Sequence, residues 1–136
     1  MNLGNIYSYL GQLNYALILF AQAEAVFQKS QDEKNLAMVY TNQGIAYRKL
    51  KNWLYAKEIL CKSINAWQKV GNILYMSNAQ DELGLVYFEQ GCYEYALEIF
   101  NIALHNLTQL DENHNTDTLK KLLLNHVEQV KIYLQE

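Results

Sequence analysis

Apolar positions in this chain return every three or four residues, as helices require, and the pattern as a whole returns every 40 residues. Gly4, Gly44 and Gly84 are each followed three residues later by tyrosine (Tyr7, Tyr47, Tyr87) and twelve residues later by alanine (Ala16, Ala56, Ala96). Tyr15, Tyr55 and Tyr95 precede those alanines, and Phe20, Leu60 and Phe100 follow them by four. Three copies in one register make a repeat array, an architecture that binds far more often than it catalyses.

Turn residues divide each unit into two helices. Gly11 and Gly91 mark turns inside units one and three, Lys51 and Asn52 hold the matching place in unit two, and Gly71 separates units two and three. The pattern predicts helices near 2–10, 13–29, 33–50, 53–70, 73–90, 93–110 and 117–135 of a single domain. Asp32, Asn52, Asn72 and Thr116 are expected as N-caps, because a short side-chain oxygen there satisfies orphan backbone amides. Tyr15, Tyr55 and Tyr95 recur at packing spacing and are expected in the core, with Trp53 and Trp67 filling gaps between helices.

The residues in register resemble the tetratricopeptide repeat (TPR) pattern: Leu3-Gly4, Tyr7, Ala16, Phe20 and Ala23; Gly44, Tyr47, Ala56, Leu60 and Ser63; Leu83-Gly84, Tyr87, Ala96, Phe100 and Ala103. Glycine and alanine at a helix crossing let two backbones approach, and the aromatics fill the wedge beside them. The period of 40 and the lack of proline depart from the usual 34-residue unit. They are similar to the longer units of Pins/LGN polarity adaptors, kinesin light chains and bacterial regulatory arrays. The resemblance implies an all-α superhelix of three helix pairs (repeats about 1–30, 31–70 and 71–112) and a capping helix at about 117–135. In that last helix Leu119, Leu123, Val127, Val130 and Leu134 form the apolar stripe, and Lys120, Lys121, Glu128 and Lys131 are expected to face water. No cap precedes Gly4, and against Asp32 and Asn72 the first helix is short by roughly two turns. Two readings stay open, the C-terminal part of a longer array or a homodimer through the uncapped first unit.

The resemblance further implies a non-catalytic protein–protein interaction module whose first helices line a concave groove for a peptide or helix. At helical spacing the groove positions are Asn5 and Tyr9 in unit one, Asn42, Ile45, Arg48 and Lys49 in unit two, and Asn78, Asp81, Glu82, Leu85 and Phe88 in unit three. Asparagine amides both donate and accept, which suits them to a peptide backbone of any sequence. Asn5 and Asn42 fall on the asparagine positions of the carboxylate clamp that some TPR domains use, but Met1, Asn78 and Glu82 occupy its basic positions, so that clamp is disfavoured. What remains is basic in the middle (Arg48, Lys49) and acidic toward unit three (Asp81, Glu82, Glu89), a pattern for a ligand of mixed or basic charge.

Composition narrows the field. The 136 residues are 51% hydrophobic and 18% charged with a net charge of −3, so no basic patch awaits a nucleic acid. The longest apolar run, Tyr15 to Ala21, is too short to span a membrane, and the N-terminus has no basic region before an apolar core, so a cytoplasmic protein is expected. Cys61 and Cys92 form no CxxC and read as reduced thiols. His105, His114 and His126 show no metal-ligand spacing and are expected on the surface or satisfied in packing. With no phosphate loop, nucleophile elbow or dinucleotide turn, neither an enzyme nor a cofactor is expected.

Overall fold

A computed structural model describes the backbone of residues 3–135 and the side chains of residues 9–135. All elements among these are helices: α1 (Leu3–Ser30), α2 (Glu33–Lys49), α3 (Trp53–Val70), α4 (Ile73–Glu89), α5 (Tyr93–Leu107) and α6 (His114–Leu134). Each packs against the next, giving an all-α superhelical arrangement.

The turns follow one design at 20-residue intervals. Gln31, Lys51, Gly71 and Gly91 each take a left-handed conformation, with φ of 57°, 60°, 84° and 86°. The amide of the next residue (Asp32, Asn52, Asn72, Cys92) then donates back to a carbonyl in the last helical turn, respectively those of Phe27, Tyr47, Trp67 and Tyr87. This closure satisfies carbonyls that a helix end would otherwise orphan. The same residues start the next helix: the side chains of Asp32, Asn52 and Asn72 accept from Asn35, Tyr55 and Tyr75 amides, as expected from sequence. Cys92 occupies the position without a capping bond.

Glycine sets the spacing inside each complete pair. A Cβ on Gly44 would overlap the Leu60 side chain, and one on Gly84 would overlap Phe100. Leu60 and Phe100 are fully buried in these crossings, as are Ala56 and Ala96 one turn earlier. Burial of each such large side chain is worth about 1.5–3 kcal/mol. The stripe of α6 (Leu119, Leu123, Val127, Val130) closes over Ala96, Phe100, Ala103 and Leu107 of α5 in one cluster.

Three expectations are corrected. The helices expected at 2–10 and 13–29 form one continuous helix, so a single helix and two pairs stand before α6 instead of three pairs. A segment as short as 2–10 is marginal as a separate helix, whereas running straight through Gly11 keeps every backbone bond inside one helix. Gln12 also lacks the short side chain that Asn52 uses as a cap, and the Asn14 amide donates to the Leu10 carbonyl across the expected turn. Second, α6 starts earlier than expected: Asn113 is its cap, accepting from the Thr116 amide, and Thr116 itself is buried. Third, Tyr15, Tyr55 and Tyr95 are exposed. Tyr55 and Tyr95 lie on the outer side of the second helices, where their rings lean on Tyr47 and Tyr87 at 5.5 and 5.7 Å. Trp67 fills the space between helices as expected, and Trp53 is half-buried.

Candidate functional site

Alternate helices touch on one side of the stack only. α2 meets α4 and α4 meets α6, but among the described residues α3 and α5 do not meet. A stack is concave where its successive layers are closest, so α2, α4 and α6 form the inner face and α3 and α5 the outer one. α6 therefore both closes the core and adds a third helix to the inner wall.

Not all expected groove residues reach that wall. Asp81 is 1% exposed and lies between α4 and α6, where its Oδ1 stands 2.6 Å from Nδ1 of His126. A carboxylate accepts, so the ring nitrogen facing it carries the proton. In unit two the same register position is Thr41, which bonds Ser63 and the Ala37 carbonyl and accepts from the Trp67 indole at 3.1 Å. Unit three has Ala103 and Leu107 in place of Ser63 and Trp67. The buried polar group at position 81 is thus met from the following helix, and its role is structural. His126 has the satisfied packing role expected from sequence, with its ring also 5.3 Å from that of Phe100.

Arg48 is engaged by two groove carboxylates. Arg48 on α2 reaches α4, with Nη1 2.7 Å from Glu89 and Nη2 3.2 Å from Glu82. Burial pushes the Glu82 carboxyl up from its ordinary range, the Arg48 guanidinium opposes that rise, and neighbouring Asp81 adds to it. The basic-to-acidic gradient expected for ligand selection is therefore an internal clasp between two wall helices. Arg48→Met should strand Glu82 and lower stability by about 2–3 kcal/mol at neutral pH, below the usual cost for a fully buried pair because both side chains keep some exposure. A raised folded-state pKa means that the folded state binds more protons, so ionisation of Glu82 with rising pH works against folding. The loss should accordingly shrink as pH falls into the carboxylate range; pH-dependent thermal melts check this, and a loss independent of pH would contradict the clasp.

Beyond this clasp, the cleft between α2 and α4 is lined by uncharged side chains. Asn42 of α2 and Asn78 of α4 line the same cleft of about 210 Å³ together with Met38, Thr41, Trp67 and Tyr75. Tyr75 and Asn78 continue into a second cleft of about 440 Å³ between α4 and α6, bordered by His114, Asn115, Thr118 and Leu122. Sequence reasoning missed Tyr75 and the α6 residues, because none repeats a wall residue of an earlier unit. The α6 residues carried only the signal of a stripe beside its apolar seam. Tyr9, Arg48 and Lys49 border a separate shallow cleft with Lys51, Trp53 and Glu89. Ile45 and Leu85 are half-buried in the wall. Phe88 sits in an aromatic cluster with Tyr93 and Tyr133, at 5.6 and 5.3 Å. The side chain of Asn5 lies outside the described residues.

Among the described residues no helix is long and apolar enough to cross a membrane. No protein-family model and no curated protein matches the chain. Among solved structures it is similar to the crystal structure of BtubC (BKLC) from P. vanneervenii, with a TM-score of 0.69 and 13% identity over 98% of the chain. The chain spans 62% of that structure's length. At this identity the likeness shows the fold, a helical repeat arrangement.

Proposed function

We propose that this chain is a TPR-type protein-interaction module that holds an extended peptide along the face made by α2, α4 and α6. The observation that carries the reading is the shared cleft of Asn42 and Asn78. Two amides from neighbouring wall helices, Asn42 on α2 and Asn78 on α4, can each give and take a hydrogen bond with a peptide backbone, while Met38, Trp67 and Tyr75 offer an apolar recess beside them. The recess opens to solvent beside the two amides, where an apolar side chain of the peptide can enter. Arg48 is taken up by Glu82 and Glu89, and among the described residues no charged side chain lines the cleft of Asn42 and Asn78, so the favoured ligand there is a peptide bearing an apolar anchor and little charge. The repeat register and the helical repeat fold support the family assignment, and the unpaired Cys61 and Cys92 fit a reducing compartment. Binding rather than catalysis is the work that this wall suits.

The test is a peptide selected from a random display library, measured by calorimetry. Asn42→Ala should weaken it by about 1–3 kcal/mol, or roughly 5- to 150-fold, because the peptide groups it met are left unsatisfied, with the melting temperature unchanged. Undiminished binding by both Asn42→Ala and Asn78→Ala, with loss on substitution of outer residues such as Leu54 and Glu98, would move the working surface to α3 and α5.

A further inference from the structure

α1 is the one helix whose repeat positions lack their partner. Ala56, Leu60, Ser63 and Trp67 on α3, and Ala96, Phe100, Ala103 and Leu107 on α5, are all at most 2% exposed, sealed between the first helix of their own unit and the next first helix or α6. Their equivalents on α1, Ala16, Phe20, Ala23 and Phe27, are only half-buried. The cause is the missing turn. Left-handed residues at 31, 51, 71 and 91 place the next at Gly11, yet Gly11 is not among the residues with positive φ and lies inside the helix. On a straight helix Gly4 and Phe20 stand about 24 Å apart, whereas the matching Gly44–Leu60 and Gly84–Phe100 pairs are in contact.

From this we infer that two copies of the chain exchange residues 3–10, each supplying the first helix that the other's α1 lacks. Two α1 helices laid antiparallel about a two-fold axis at Gln12 put Gly4 of each copy against Phe20 of the other. They restore in both copies the crossing seen at Gly44–Leu60, with no change of register. This is reciprocal exchange of an identical element, for which the straightened hinge at Gly11 is the structural requirement. The electrostatics permit it: no charged residue precedes Glu24, so antiparallel self-pairing over this length sets no like charges together. The exchange does not reach Val26, because its equivalent Ala66 packs with Ala37, a position with no counterpart among the exchanged residues 3–10.

Light scattering of the unmodified chain should give twice the 15.8 kDa chain mass. In a background of Cys61→Ser and Cys92→Ser, Gly4→Cys with Phe20→Cys should yield a doubly linked covalent dimer under mild oxidation. Restoring the turn by Gln12→Asn with Asn14→Pro should convert the dimer to monomer, because proline fits the first turn of a separate second helix but clashes inside a continuous one. Gly11→Ala should keep the dimer, since an added Cβ there meets nothing within 4 Å and alanine favours the straight helix. Val26→Asp should also keep it, while Ala16→Asp should abolish it. A strict monomer at high concentration, a cross-link within one chain, or loss of the dimer on Val26→Asp alone would each overturn the exchange.

Discussion

His126→Ala is expected to lower stability by about 3–5 kcal/mol, a drop in melting temperature of roughly 10–20 °C for a chain of this size. The substitution removes the one hydrogen-bonding side chain that meets Asp81 among the described residues, leaving a carboxylate 1% exposed with neither water nor a counter-group. It also empties space beside Phe100. The penalty belongs to the stranded carboxylate more than to the pair itself. The double variant Asp81→Leu/His126→Leu should therefore recover most of the loss, as buried pairs replaced by apolar side chains commonly do. Thermal melts of the single and double variants read this directly. A His126→Ala loss below about 1 kcal/mol would mean that Asp81 is satisfied elsewhere.

Gly44→Leu is expected to cost about 3 kcal/mol or more, and Gly44→Ala about 1–3, because even a Cβ at this position overlaps the Leu60 side chain, which is itself fully buried and has nowhere to go. Gly84→Ala should behave alike against Phe100. Glu98→Leu, on the exposed outer side of α5, should stay within about 0.5 kcal/mol. Denaturant melts that rank Glu98→Leu with the two glycine variants would show that the close crossings do not limit packing.

Much of this fold was legible because it is encoded locally and three times over. The helix starts at Glu33, Trp53 and Ile73 could be read from Asp32, Asn52 and Asn72, since a cap depends on residues within one turn of itself. The crossings could be read from Gly44 and Gly84 because the period tied them to Leu60 and Phe100. What was not legible depends on residues far away. Helical spacing places Asp81 on the same stripe as Asn78 and Glu82, and only His126, 45 residues later on a helix outside the repeat, turns it into a core residue. The spacing of Tyr15, Tyr55 and Tyr95 is as regular as that of the buried alanines beside them, but those positions fall on the outer side of the second helices. Gly11 has the sequence of a turn and the structure of a helix interior, since no cap like Asn52 stands beside it and a continuous helix keeps every backbone bond.

In the candidate site the asparagines were legible and the charges misled. Asn42 and Asn78 open onto one cleft from α2 and α4, whereas Arg48, Glu82 and Glu89, each a plausible ligand contact by itself, close on one another once α2 and α4 are packed. Pairing between two wall helices is invisible to a reading that takes one helical face at a time.

The most direct measurement of the central claim is a backbone-amide NMR titration of the 136-residue chain with a peptide selected from a random display library. The account expects shifts that map to Asn42, Tyr75, Asn78 and Thr118 on the inner face, and that vanish in parallel with binding when Asn42 and Asn78 are both replaced by alanine. Shifts centred on Leu54, Glu58, Glu94 and Glu98, with the inner face unmoved, would contradict it.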